Sequence, residues 1–343
     1  MITDNNKNSL LEQLTEKISS FERKNDLLIS EVRQLKGFID KYYKKNKNLI
    51  FLVNHINDQG RELLNKLPKA TGELKKIQIV ALHLLKSFNK VCVENNIEFW
   101  LHAGTLIGSI RHQGFIPWDD DIDIAMDRNN FIRLKEVIKN YTEFDFLELY
   151  SNMYWNKQYQ IKFKGLPFFI DVAVWDYSVA DTITERNAFL EKSRFARAQL
   201  ISELSTKLKG IDFSSSPYYG CGELSGADKE TFDSLIVKYH NALYSYSMDD
   251  CSDISTKKSL CLGLDNFNFP YPVIAFSDVF PLDLSVFEDS IYRIPKNSIY
   301  YLDGYGDIFD LPDDMYKNNH LYAYKPYESK INEICEKLIK NDN

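Results

Sequence analysis

Long apolar runs are missing from this sequence. No stretch approaches the ~20 consecutive apolar residues that a membrane-spanning helix needs, and the N-terminus, with Asp4 and no apolar core segment, shows no signal-peptide pattern. A soluble or peripheral protein is expected. Cysteine is scarce too: Cys92, Cys221, Cys251, Cys261 and Cys335 are odd in number, widely spaced and form no Cys-x-x-Cys pair. That argues against a disulfide framework and for reduced thiols in the cytoplasm. A zinc site joining Cys221, Cys251 and Cys261 to a histidine such as His240 stays open, although the spacings match no standard ligand pattern. Positive charge is scarce where a nucleic-acid surface would need it. Residues 1–67 carry 12 Lys and Arg against 9 Asp and Glu, whereas the remainder carries 30 against 40. An acidic body speaks against nucleic acid as a partner and suits sites that gather divalent cations.

What is present begins with heptads. With Leu11 at position a, the a positions run Leu11, Ile18, Asn25, Val32, Ile39, Asn46, Val53, Gly60 and Leu67. The d positions run Leu14, Phe21, Leu28, Leu35, Tyr42, Leu49, Ile56 and Leu63. Asn at a fixes register and favours two strands, so residues 7–67 are expected to form a parallel dimeric coiled coil closed by Pro68. This divides the chain into an oligomerisation arm over 1–67 and a catalytic domain over 68–343, giving a homodimer. The basic run "KYYKKNK" at 41–47 reads as a solvated helix face, with contact at a membrane surface as the lesser reading.

The body alternates helix and strand patterns, which implies an α/β (α+β) fold with a mixed sheet and flanking helices. An amphipathic helix is expected from Gly72 to about Glu94, and strands at 97–101, at "DIDIAM" and at 166–175. "GTLIGSIR" reads as a turn entering a helix, and "NNFIRLKEVIKN" as a helix. Thr182 and Glu185 form a capping box ahead of a helix ending near Gly210. Further helices are expected near 227–247 and 328–340, with a loop over 213–222 and short strands within 262–295.

Four aspartates, Asp119, Asp120, Asp121 and Asp123, fall within five positions. On a strand, Asp121 and Asp123 face one way while Ile122 and Ile124 anchor the other side. Paired carboxylates of this kind can hold Mg²⁺ together with a substrate phosphate. Asp119 and Asp120 fit a solvated acidic loop. Asp171, alone in the apolar strand "FFIDVAV", is expensive to bury unless it meets a partner or a cation. Gly108 and Ser109, a dozen residues before Asp121, read as a helix start able to receive phosphate. Tyr154, Trp155, Tyr159 and Phe163 are candidates for a cage around a quaternary ammonium, with core packing as the competing reading.

A Gly-Ser turn, an Asp-x-Asp strand and a third Asp on a neighbouring strand resemble the nucleotidyltransferase fold. "WLHAGTLIGSIRHQGFIPWDDDIDIAM", "FFIDVAVWD" and "YLDGYGDIFDLPDDMYKNNH" then resemble the LicD family of phosphocholine transferases and fukutin-type proteins, over roughly residues 74–325. The resemblance implies a transferase moving a phosphorylated alcohol, often phosphocholine, from a CDP-linked donor to a hydroxyl of a cell-surface glycan, with release of CMP. It implies Asp121, Asp123 and Asp171 as ligands of Mg²⁺ or Mn²⁺, Asp171 serving either as third ligand or as base. It implies Gly104, Thr105, Gly108 and Ser109 around the nucleotide, Arg111 or His112 against the diphosphate, and Tyr305, Gly306, Asp307 and His320 closing the site. Since CDP-linked donors are cytosolic, a cytoplasmic enzyme is implied, with the inner face of the membrane as its working surface left open. Two alternatives stand beside this: transfer of the nucleotide itself with release of pyrophosphate, and an inactive coiled-coil scaffold.

Overall fold

The computed structural model describes residues 67–153, 155–213, 221–244, 246–248, 257–266, 272–309 and 320–341. The heptad arm, with the dimer expected through it, lies outside the described residues, as do Tyr154, Cys251 and most of the loop expected over 213–222.

Helix α1, Gly72–Glu94, has the bounds its periodicity predicts, and buries Ile77, Val80, Ala81, Leu84, Leu85, Phe88, Val91 and Cys92 along one stripe. After it come β1 (Trp100–Leu101), α2 (Ala103–His112), β2 (Ile122–Asp127) and α3 (Arg128–Val137). A hairpin of β3 (Phe144–Ser151) and β4 (Asn156–Phe163) leads to β5 (Phe169–Ser178). Then follow α4 (Ile183–Lys207), β6 (Cys221–Gly222), α5 (Gly226–Leu243), β7 (Ser259–Leu262) and β8 (Ile274–Ala275). A separate hairpin of β9 (Asp283–Phe287) and β10 (Ser290–Ile294) precedes the terminal helix α6, Glu328–Asn341. The capping box forms as expected, with Thr182 accepting from the Glu185 backbone and Glu185 reaching back.

The main sheet is mixed. Its order is β1-β2-β5-β4-β3-β6, with β7 pairing the far end of β5 and β8 pairing β7. β2 and β5 run parallel, Asp123 opposite Asp171, while β4 and β7 pair β5 antiparallel. Isoleucines 122 and 124 are fully buried while Asp123 between them is not, which is the period-two alternation of a strand. One large apolar cluster runs from α1 through β2 and β5 to Tyr301 and Ile331; a second gathers Leu200, Leu204, Phe232 and Ile236 of α4 and α5 around Tyr150.

The β3–β4 hairpin gave no clear signal. Its turn passes through Trp155 at φ +49, a left-handed conformation that a tryptophan does not announce. The strand expected at 97–101 shrinks to two residues, and the one expected at 166–175 starts at Phe169 and runs on to Ser178.

At the end of β2 remote from Asp121 sits a fully buried ion network. Arg128 donates from Nε (2.8 Å) and Nη2 (3.0 Å) to Asp176 on β5, and from Nη1 (2.9 Å) and Nη2 (2.6 Å) to Asp265 after β7. Tyr159 adds a hydroxyl to Asp265. Burial alone would raise both carboxylates, but the Arg128 charge outweighs it and holds Asp176 and Asp265 below the usual carboxylate range. Gly263 makes room: a Cβ there would lie 2.5 Å from Asp265 Oδ1 and 2.6 Å from Arg128 Nη2.

Gly263→Ala should therefore destabilise the fold by about 3 kcal/mol or more, as disruption of a buried pair does. Gly210→Ala, with nothing within 4 Å of the added carbon, should stay within about 0.5 kcal/mol. Because the folded values of the two carboxylates lie below the unfolded one near 3.9, the network's contribution is whole above about pH 4 and fades as pH falls towards those folded values. Urea midpoints of wild type and Gly263→Ala between pH 7 and pH 2 should differ most at the neutral end and converge in acid.

Candidate active site

Asp123 is held from three sides by the start of α2. Its N–H donates to Thr105 Oγ1 (2.8 Å), its carbonyl accepts from His102 N (3.1 Å), and its carboxylate accepts the N–H of Gly104. Ala103, just before Gly104, sits at φ +42, a strained conformation for any residue with a Cβ. Gly104 itself must lack one, since a Cβ would lie 2.9 Å from Asp119 Oδ2 and 3.6 Å from Asp123 Oδ2. The sequence "LHAGT" thus makes a helix start whose N–H groups and empty space belong to the carboxylates.

The parallel register brings Asp171 beside Asp123, and one carboxylate oxygen from each of Asp121, Asp123 and Asp171 lies within 4.8 Å of the others. Asp119, Asp120 and Asp121 form a second such group sharing Asp121. These two groups are the metal-capable clusters among the described residues. Cys221 and Cys261, on β6 and β7, are buried free thiols outside both.

The charges raise one another. Burial, then Asp121 and Asp123, hold Asp119 well above the usual carboxylate range; burial, then Asp121 and Asp171, do the same for Asp123. Burial and the Asp121 charge push Asp171 up to about 7, against a 3.0 Å hydrogen bond from Gln160 Nε2 that stabilises its anion. Four aspartates pressed together in this way have a strong affinity for protons or for a cation.

Asp120 departs from the solvated loop expected of it. It is 1 % exposed and accepts from His320 twice, from the backbone N–H at 2.6 Å and the ring Nδ1 at 3.1 Å. Burial works against an imidazolium at His320, but Asp120, Asp121 and Asp171 outweigh it and raise its pKa. The ring also stands edge-on to Phe169 at 5.2 Å, and Tyr324 donates to the Asp120 carbonyl.

Several expected residues stand elsewhere. Gly108 and Ser109 are not at a helix start but in the body of α2, which begins at Ala103. A Cβ on Gly108 would meet the Gly114 carbonyl at 2.4 Å, and Ser109 Oγ is bonded to Ser285 Oγ and the Val286 carbonyl. Ser109 packs α2 against β9, and Gly108 packs it against the turn that follows it. Arg111 is buried, donating to the Ile308 carbonyl at 2.7 Å and to His112, with its guanidinium 5.8 Å from the Trp118 ring; burial lowers its pKa against the opposing charge of Asp119. Asp307 is exposed and accepts from the Phe309 N–H. The aromatic cage does not assemble among the described rings. Tyr159 lies tilted against Phe131 and bonds Asp265, Phe163 stacks on Phe144, and Trp155 packs towards Phe232.

Three contributors escaped the sequence reading. Gln160 and Lys162 share the Asp171 face of β4, a signal hidden with that strand. Tyr301 ties Trp100 and His102 together: Trp100 Nε1 can only donate, so the Tyr301 hydroxyl accepts from it at 3.1 Å and donates to His102 Nδ1 at 2.7 Å. Burial takes the His102 pKa down to about 3, so the ring is neutral, with its proton on Nε2.

The open mixed sheet carries Asp-x-Asp beside a helix start, with a third aspartate on the parallel neighbour, the arrangement that the resemblance to the nucleotidyltransferase fold implies. Residues 96–214 match the LicD/FKTN/FKRP nucleotidyltransferase domain. The chain is similar to the lipopolysaccharide cholinephosphotransferase LicD of Haemophilus influenzae, 48% identical over 64 residues, 19% of this chain and 24% of that protein. It is also similar to an uncharacterized protein of Rickettsia prowazekii, 35% identical over 71 residues, 21% of this chain and 27% of that one. The chain thus aligns with about a quarter of the length of these relatives.

Tyr301→Phe deletes the hydroxyl on which both Trp100 and His102 depend. It should cost about 1 to 3 kcal/mol in chemical denaturation, the penalty for stranding buried polar groups.

Proposed function

We propose that this chain is a phosphotransferase that moves a phosphorylated alcohol, phosphocholine in the first instance, from a CDP-linked donor to a hydroxyl of a cell-surface glycan of the lipopolysaccharide, capsule or teichoic acid type, releasing CMP. The observation that carries this reading is the convergence of Asp121, Asp123 and Asp171 inside the segment that matches the LicD-type domain. The relative from Haemophilus influenzae, named a lipopolysaccharide cholinephosphotransferase, supports the choice of phosphocholine.

The three carboxylates fit a divalent cation. One oxygen from each lies within 4.8 Å of the others, a limit that admits the ~4.2 Å between opposite oxygens of an octahedral Mg²⁺ ion, and their mutual repulsion supplies the affinity. Mg²⁺ or Mn²⁺ held there would neutralise charge on the donor diphosphate. The chain's own residues do the rest. The Gly104 N–H and Thr105 hold Asp123 rigid. His320 holds Asp120 and covers one side of the cluster. Asp171 serves either as the third ligand or, in place of that, as the base that takes the proton of the acceptor hydroxyl as its oxygen bonds to phosphorus and the bond to CMP breaks. No described helix is long and apolar enough to cross a membrane, so a lipid-linked acceptor would be met at the membrane surface. The heptads of 7–67 would pair two such chains.

Asp121→Asn and Asp123→Asn should each lower Mg²⁺-dependent CMP release from CDP-choline by orders of magnitude with little change in melting temperature. Near wild-type turnover in both would remove the metal-centre reading, and pyrophosphate in place of CMP would mark nucleotide transfer instead. Cation binding must displace the proton that Asp171 retains up to about 7. Mg²⁺ affinity measured by calorimetry should therefore rise from pH 6 to pH 8, with proton release visible as a buffer-dependent enthalpy.

Removal of residues 1–67 should give a monomer in sedimentation that still releases CMP. A dimer after truncation would overturn the role given to the heptads.

A further inference from the structure

Two of the three converging carboxylates are held in different ways. Asp123 is fastened by the start of α2, through the Gly104 N–H and the Thr105 hydroxyl. Asp171 has no helix start beside it. Among the described residues its carboxylate accepts a single hydrogen bond, from Gln160 Nε2 at 3.0 Å.

Gln160 stands directly across from Asp171 in the antiparallel β4–β5 ladder. The two side chains therefore leave the same face of neighbouring strands, about 4.8 Å apart. Tyr159 and Ile161, on either side of Gln160, point the other way and belong to the apolar core. Gln160 is itself buried, and a buried amide is costly unless its hydrogen bonds are made. The bond it makes is to the carboxylate.

The kind of donor matters. An amide holds a carboxylate without adding a charge of its own, so the negative charge that attracts a cation is not offset from this side. Asp176, farther along β5, is treated in the opposite way, for the Arg128 guanidinium both bonds it and neutralises it. A carboxylate that ligates a metal is commonly oriented by a hydrogen bond from a residue that does not touch the metal, and a neutral donor suits that task where a cationic one would compete with the ion.

We propose that Gln160 is a positioning residue for the cation site: its amide turns the Asp171 carboxylate so that one oxygen meets the cation held by Asp121 and Asp123. This rests on the metal reading above, with Asp171 as the third ligand in place of the base.

Calorimetric titration of the chain with Mg²⁺ alone, and with Mn²⁺ alone, tests it. Gln160→Met keeps the length of the side chain and removes the donor. It should weaken binding of both ions by about 10- to 100-fold, the range for loss of such a partner, with an unchanged fold by circular dichroism. In an Asp171→Asn background the same substitution should alter affinity by no more than about twofold, because Gln160 acts through Asp171. Unchanged affinity in Gln160→Met, or an equal loss in the Asp171→Asn background, overturns the proposal and leaves the metal reading standing. So does wild-type affinity in Asp171→Asn alone, which would make Asp171 a base and not a ligand. A wild-type chain that binds neither ion overturns the metal reading and this proposal together. If circular dichroism shows Gln160→Met unfolded, Gln160→Leu is titrated in its place and held to the same outcomes.

Discussion

Arg128 lies out of reach of water with a carboxylate on each side of its guanidinium, one from β5 and one from the turn after β7. A pair of charges so buried is stable only when both partners are present with their hydrogen bonds made, and here the bonds specify register. Arg128 directly follows β2, so its fork onto Asp176 locks that strand against β5 at one end. Five residues back along each strand the same register sets Asp123 against Asp171. A slip by one residue would turn one aspartate to the opposite face and separate the pair. The ion network is thus the clamp, and the carboxylate cluster is what the clamp aligns.

The cluster itself is an unfavourable arrangement maintained by its surroundings. Left to themselves, four aspartates would spread into solvent. Here Asp123 is tied to the start of α2 through backbone and side chain, Asp120 is covered by His320, and the isoleucines of β2 are buried on the opposite face. The energy stored in repulsion is available to whatever cation or proton relieves it. The strained Ala103 and the bare Gly104 belong to the same economy of space, for they let a helix start approach two carboxylates where a side chain would intrude.

Much of this was written plainly in the sequence, and the exceptions share a cause. The α1 stripe, the "DIDIA" alternation and the Thr182–Glu185 box are local patterns, and each forms where its residues predict. Asp171 was conspicuous because a lone carboxylate in an apolar strand needs a reason. Gly108 and Ser109 misled because a Gly-Ser pair reads as a turn, whereas Gly108 serves close contact with the Gly114 carbonyl inside a helix. Asp120 was indistinguishable from its neighbours until a histidine 200 residues away supplied its donors. Gln160 and Lys162 were hidden because their strand begins after an unmarked turn. What local pattern cannot carry is which distant residue arrives opposite which, and both the burial of Asp120 and the pairing of Gln160 with Asp171 depend on that.

The distance between Asp120 and His320 also has a consequence in time. A ribosome adding about 5 to 20 residues per second needs roughly 10 to 40 s to pass from one to the other. Through that interval the nascent chain already contains Asp119, Asp120, Asp121 and Asp123, and then Asp171, while the imidazole that quenches Asp120 has yet to be translated. The acidic centre is therefore among the earlier parts of the body to be made, and its contact with His320 is completed only when the C-terminal segment has been translated.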